Sequence, residues 1–183
     1  GYSQFFLQSY DILSFVFRDV FLPGILIYLL FLPIISKYTR TGLLFFKHKF
    51  SLHEIFLIWT SQILTILIIV NLVLKNFWGR ARPGDIYDFG GDSIFTPWYK
   101  ISSYCDSNCS FVSGDASVGF SLIILYFITK NNFYVYLSVV SGLTLGAIRI
   151  FAGGHFLSDI LLAGVIVIIL NAILFRVFKK YYE

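Results

Sequence analysis

Three short polar islands stand in an otherwise apolar chain, and their residue types suit one task. The first runs from Lys75 through Arg82-Pro83, with six residues between Lys and Arg. The second is Ser113-Gly114-Asp115. The third is Arg149-x5-His155-x3-Asp159. Together they supply three fixed positive charges, a glycine turn, and a histidine with an acid four residues later. Such a set can hold a phosphate and attack it.

A phosphate monoester carries nearly two negative charges at neutral pH. Arg meets it with a planar fork and Lys with a compact point charge. Lys75, Arg82 and Arg149 are the candidate phosphate donors. Arg80 is a fourth cation, to which its spacing assigns no role. Taken singly, Lys75 and Arg80 read as interfacial charges snorkelling from a helix end. Arg149 differs, because it falls in the last turn of an apolar span. A charge at mid-membrane costs about 2.5–3.5 kcal/mol, less near the end, and one kept there points to function.

His155 and Asp159 are spaced i, i+4, which places them on one helix face. The carboxylate is expected to accept from one ring nitrogen and leave the other for substrate. His155 is thus the candidate nucleophile on phosphorus. By itself a His-x3-Asp pair reads as a helix cap; with Arg149 six residues upstream the reading turns to catalysis. Ser113 is a favoured N-cap residue, and the amides that follow it can also serve phosphate oxygens.

These side chains need a scaffold, and composition says which kind. The 183 residues are 57% hydrophobic and 20% aromatic, with only 13% charged. Mean hydropathy is +0.79. A soluble domain has about 25% charged residues, so the chain reads as an all-α integral membrane bundle, a single domain over residues 1–183. The net charge of +4 is too small to argue for nucleic acid. With Gly1 first and no Met anywhere, the natural start is expected to differ from Gly1.

A span needs roughly 20 apolar residues. Five candidates follow: residues 20–36, 55–74, 118–129 (with 113–117 as its first turn), 133–150 and 156–178. Residues 5–17 are apolar but include Asp11 and end at Arg18-Asp19. They read as an interfacial helix, with a trimmed first span as the alternative.

The connecting segments sort by charge. One group holds Lys37, Arg40, Lys47, Lys49, Lys130, Arg176, Lys179 and Lys180. The other holds most of the acids, from Asp11 to Asp159. Cytoplasmic loops are enriched in Lys and Arg, so the first group is expected inside. All three polar islands then face outward on one membrane surface. Cys105 and Cys109 lie in the long outer loop, where an oxidising compartment would favour a small-loop disulfide. A metal site is the weaker reading, since that loop has no His and no further Cys; two unpaired thiols are the third.

The ordered set K-x6-R-P, S-G, R-x5-H-x3-D resembles the type-2 phosphatidic acid phosphatase superfamily, over about residues 75–159. The resemblance implies a membrane helical bundle that dephosphorylates lipid phosphates with no metal and no cofactor. It implies that Lys75, Arg82, Ser113, Gly114 and Arg149 bind phosphate, His155 is the nucleophile forming a phosphohistidine, and Asp159 orients it. The partners it implies are a membrane lipid phosphate and the bilayer, with no nucleic acid and no obligate protein partner.

Three departures stand out. The family usually reads P-S-G-H where this chain has Val112-Ser113-Gly114-Asp115. It usually has Ser before the Arg of the third motif, here Ile148. Members often have six spans. The histidine that Asp115 replaces protonates the leaving oxygen. A carboxylate is a ready base for water but a poor acid at neutral pH. Asp115 therefore reads as a tuned variant, as a disabling or substrate-trapping change, or as a sign that the leaving group needs little acid help. The last favours lipid A 1-phosphate or a polyprenyl diphosphate. The outer loop around Phe89-Gly90-Gly91, Phe95-Thr96-Pro97 and residues 108–116 also resembles the bacterial lipid A phosphatase branch. That branch implies the bacterial inner membrane, with a site facing the periplasm. The alternatives are an undecaprenyl diphosphate phosphatase, a lipid phosphotransferase, or an inactive relative that binds or moves lipid.

Overall fold

The computed structural model describes Phe5, residues 12–38 and residues 48–182. Among the described residues there are five long helical rods: α1 (residues 12–38), α2 (Leu52–Phe77), α3 (Gly114–Thr129), α4 (Phe133–Phe151) and α5 (Leu157–Tyr182). Helices dominate because lipid offers no partner to a bare backbone amide or carbonyl. Among the described residues, α2, α4 and α5 are long and apolar enough to cross a membrane by themselves. The five rods fall where the five apolar segments were expected, with ends within about four residues except that α1 begins eight residues earlier, at Ile12.

The described part of the expected interfacial helix is not a separate element. From Ile12 the chain runs helically without a break into α1, through a wider-wound stretch at Val16–Phe21. The rest of that segment, Asp11 included, lies outside the described residues, as do Arg40 and Lys47 of the loop before α2.

Local chemistry sets the helix ends. Ser51 and Glu54 form a reciprocal capping box at the start of α2. Ser113 caps α3, its hydroxyl accepting from the Ala116 amide at 3.4 Å. Lys130 ends α3 with a positive φ of 58°. Its ammonium lies 4.5 Å from the centre of the Phe175 ring.

Packing relies on small residues, as expected where lipid removes the usual hydrophobic drive between helices. A Cβ on Gly119 would stand 2.5 Å from the Gly142 backbone, and one on Gly142 would meet the Phe120 ring at 2.5 Å. A Cβ on Gly146 would strike Ile160. The Gly142-x3-Gly146 pair therefore packs α4 onto α3 and α5 of the same chain. Deeper in the bundle, the Ser61 hydroxyl donates to Asn171 Oδ1 at 2.5 Å, tying α2 to α5.

Apolar side chains form two clusters. One is built on Ile58, Ile124, Leu125 and Tyr134. The other, on Val70, Val112, Ala116, Phe120, Ile160 and Val167, lies directly beneath the polar islands. Exposed Leu161, Val165, Ile169 and Ile173 repeat every four residues along α5, a stripe suited to lipid contact.

Candidate active site

Main-chain hydrogen bonds draw the three islands together. The segment after Cys105 runs back along the first island: the Cys109 amide donates to Lys75 O at 3.1 Å, and Ser110 to Arg80 O at 2.9 Å. The Ser113 amide donates to Asp159 O at 3.2 Å. The Gly84 amide, just past Arg82-Pro83, donates to Gly153 O in the α4–α5 turn at 3.0 Å. The first two bonds lay the lead-in of the second island along the first, the third joins the second island to the third, and the fourth joins the end of the first island to the third.

Gly79 makes the first turn possible. Its φ is +65°, and a Cβ there would overlap Ser102 O. That carbonyl belongs to the segment folded back on Trp78 and Gly79, which the Ser102 hydroxyl holds by donating to Gly79 O at 2.6 Å.

The His155 ring is buried, 2% exposed. Its Nδ1 lies 2.6 Å from the carbonyl oxygen of Ser110. A carbonyl only accepts, so Nδ1 carries the proton and Nε2 keeps its lone pair. Burial is the main influence on this imidazole and pushes it below its ordinary range; the charges of Arg149 and Lys75 act the same way, while Asp159 opposes them. The ring is thereby kept neutral and nucleophilic.

Asp159 does not orient His155 by the direct bond its spacing suggests. Its Oδ2 stands 3.8 Å from His155 Nδ1, beyond hydrogen-bond range. That oxygen instead accepts from the Ser110 hydroxyl at 2.5 Å and the Phe156 amide at 3.0 Å. Its Oδ1 accepts from Arg80 Nη1 in a buried ion pair. Ser110 is the link: its hydroxyl serves Asp159 and its carbonyl holds His155. The reason is geometric. The ring sits before the first turn of α5, so the i, i+4 face relation does not apply to it.

Arg80 is thus part of the site, although spacing assigned it nothing. Its guanidinium also donates to Ser158 Oγ at 2.9 Å and Thr96 O at 2.9 Å, and stacks 4.1 Å from the Phe156 ring centre. Phe95 covers the guanidinium as well, its ring centre 5.6 Å away; both aromatics are remote from Arg80 in the chain, so no sequence spacing signalled this role.

The three expected phosphate donors form a separate group. Asn108 engages two of them. Its Oδ1 accepts from Lys75 Nζ at 3.3 Å, and its carbonyl accepts from Arg82 Nε and Nη2 at 3.2 and 2.6 Å. Asn108 has a φ of 50° and lies inside the loop closed by a Cys105–Cys109 disulfide. Arg149 Nε stands 3.3 Å from Asp115 Oδ2. Its guanidinium lies against Gly154, where a Cβ would come within 2.6 Å. Lys75 Nζ likewise lies 3.0 Å from the Cβ position of Gly114. The charges of Asp115, Arg82 and Arg149 all act on Lys75. Three cations and one carboxylate leave a net positive pocket beside His155, suited to a phosphate dianion.

Comparison with known proteins gives the family. The chain is 46% identical over 106 residues to a lipid A 4'-phosphatase of Francisella tularensis subsp. novicida, covering 56% of this chain and 48% of that one. It is 32% identical over 160 residues to a lipid A 4'-phosphatase of Rhizobium leguminosarum, covering 85% of this chain and 66% of that one. A Rhizobium etli protein of the same name is 39% identical over 98 residues, 52% of this chain and 38% of its own length. The chain therefore spans between about two fifths and two thirds of these relatives. No solved structure matches it significantly. The model of the PAP2 superfamily matches residues 56–183, a stretch holding all three islands, and the chain belongs to that superfamily.

Proposed function

We propose that this chain is a lipid phosphate phosphatase that removes the 4'-phosphate of lipid A through a phosphohistidine. The carrying observation is the His155 ring, neutral, buried, and committed through Nδ1 to Ser110 O. Nε2 attacks phosphorus, an N–P bond forms, and the P–O bond to the sugar breaks. Lys75, Arg82 and Arg149 neutralise the charge that develops on the equatorial oxygens. Water then attacks phosphorus, phosphate leaves, and His155 is restored.

The named relatives support the 4' position. They also revise the leaving-group argument that favoured the 1-phosphate. A 4'-oxygen is an ordinary alcohol rather than an anomeric one, so its departure calls for a proton, which solvent water at the pocket supplies to the sugar oxygen. Asp115 suits the second half of the cycle, as base for the attacking water. The Lys and Arg bias of the opposite loops supports an outer-facing site, and the bacterial relatives support a bacterial membrane.

A second reading rests on the Asp115–Arg149 contact. A carboxylate that occupies a phosphate-binding arginine competes with substrate, as expected of an inactive lipid-binding relative. One experiment separates the two. Phosphate release from lipid A is measured with EDTA for the unchanged protein, His155→Ala and Asp115→His. Release that survives EDTA and disappears in His155→Ala supports the phosphatase. Release only from Asp115→His supports the inactive reading.

A further inference from the structure

Asn71 is a polar residue of α2 with one end fixed and the other open. It stands one helical turn below Lys75, about 6 Å further into the membrane, in a wide-wound stretch covering Gln62–Leu74. Wide turns of this kind are frequent at functional sites. Its Nδ2 donates to Ile66 O at 2.8 Å. A carbonyl only accepts, so the nitrogen must face Ile66, and Oδ1 is turned the other way.

That oxygen is turned to the phosphate site. It lies 3.0 Å from where a Cβ on Gly114 would stand, and Lys75 Nζ lies 3.0 Å from the same point. Asn71, Gly114 and Asp115 line one cavity of about 380 Å³ between α1, α2 and α3. Among the described residues no donor reaches Asn71 Oδ1. Lys75 gives its hydrogen bond to Asn108 Oδ1 instead, at 3.3 Å.

A phosphate dianion offers only acceptors, and Asn71 Oδ1 is one more. Oxygen against oxygen repels unless a proton stands between them. One turn below the ammonium is the level of the atoms that link a phosphate-bearing carbon to its chains. A proton carried there by the lipid itself meets Oδ1 directly.

We propose that Asn71 is a specificity residue whose Oδ1 accepts a hydrogen bond from an N–H or O–H in the linkage of the lipid phosphate, so that amide-linked or hydroxylated lipids are preferred over ester-linked lipids that lack a donor. The inference deepens the phosphatase reading. It rests on that reading for the place of the phosphate, but not for turnover. Phosphatidic acid has two ester linkages and no donor near its phosphate, and leaves Oδ1 without a partner. Ceramide 1-phosphate has an amide N–H and a hydroxyl there, and supplies one.

The test reads binding. The His155→Ala protein in detergent, which leaves the lipids intact, is mixed with equimolar ceramide 1-phosphate and phosphatidic acid of matched chains. Native mass spectrometry gives the ratio of the two complexes. A ratio of roughly five in favour of ceramide 1-phosphate is expected, as one net hydrogen bond allows. Asn71→Leu, of similar volume, should bring the ratio near one with phosphatidic acid bound as before. Asn71→Asp keeps the acceptor and should keep the preference, while its charge weakens both lipids. A ratio near one before substitution, or a preference that survives in Asn71→Leu, would overturn the proposal. Equal weakening of both lipids in Asn71→Leu would also overturn it, since an asparagine acting through Lys75 or a bound water serves every phosphate alike. Phosphate release from lipid A by the unchanged protein is scored separately. Release without the preference removes only the role of Asn71, and the preference without release removes only the phosphatase reading.

Discussion

Arg80 and Asp159, 79 residues apart, meet in an ion pair that solvent does not reach. The pair neutralises a carboxylate that would otherwise sit bare beside the His155 ring. It also joins the first island to the third, while Ser110 bridges the same carboxylate to the histidine. Asp159 thus connects to His155 through Ser110, and Arg80 holds Asp159.

Breaking this pair from one side should be costly. Removing one partner of a buried ion pair destabilises by about 3–5 kcal/mol, because the other charge is left uncompensated. Arg80→Ala is expected to lower the thermal midpoint by several degrees or more and to abolish phosphate release. Arg80→Lys should recover part of the stability but little activity, since one ammonium cannot serve Asp159, Ser158 and Thr96 together. Thermal unfolding in detergent, read beside turnover, checks both.

Ser110→Ala removes the hydroxyl but keeps the carbonyl that holds His155. Asp159 would lose one of its acceptor bonds, at about 1–3 kcal/mol. The expected result is a partial loss of kcat with KM little changed, because the phosphate cations are untouched. A KM increase as large as the kcat loss would count against this division of labour.

His155 should titrate low. Its folded pKa is lowered by burial, so the neutral ring persists as pH falls through 6.5, the ordinary histidine value. In linkage terms the unfolded chain takes up this proton first. The contribution to stability is therefore complete above the unfolded pKa and is lost as pH falls below it. Histidine-selective NMR, with His155→Ala to assign the signal, reads the titration directly. A midpoint at or above 6.5 would contradict the buried geometry.

Asn108 should act on both binding and turnover, because the cations it positions hold the phosphate and meet its developing charge. Its side chain and carbonyl position Lys75 and Arg82, and the Cys105–Cys109 disulfide closes the loop that carries it. Reduction of the disulfide, or Cys105→Ser with Cys109→Ser, is expected to raise KM severalfold and to lower kcat as well. Asn108→Ala should give a smaller KM increase, because the carbonyl to Arg82 survives. Steady-state kinetics with and without reductant distinguish the two.

The crossing of α3 and α4 leaves no room at Gly142, where a Cβ would enter the Phe120 ring. Gly142→Leu should destabilise the bundle by overpacking, at about 1–3 kcal/mol or more. Gly24, with nothing near its Cβ position, should accept alanine with little change. Paired thermal melts of the two variants make the comparison.

What could be read from the sequence alone is what depends on local order and on the bilayer. The five helices were legible because an apolar run of the right length has one structural solution in lipid. The identity of Lys75, Arg82, Ser113, Gly114, Arg149, His155 and Asp159 as candidates was legible because cations, a glycine turn and a His–Asp pair recurred in a fixed order. That α4 carries a small-residue pair at Gly142 and Gly146 is legible in the chain, and such a pair favours a close helix contact. Which surface each glycine meets is not, since that depends on how α3, α4 and α5 cross. Only the tertiary structure decided who touches whom. It paired Arg80 with Asp159, placed Ser110 between Asp159 and His155, set Asn108 on Lys75 and Arg82, and put Asp115 against Arg149. None of these partners is separated by a helical period, so no spacing rule could relate them. They meet because a loop of more than thirty residues folds back on the first island, and a chain's return path is set by packing rather than by local sequence.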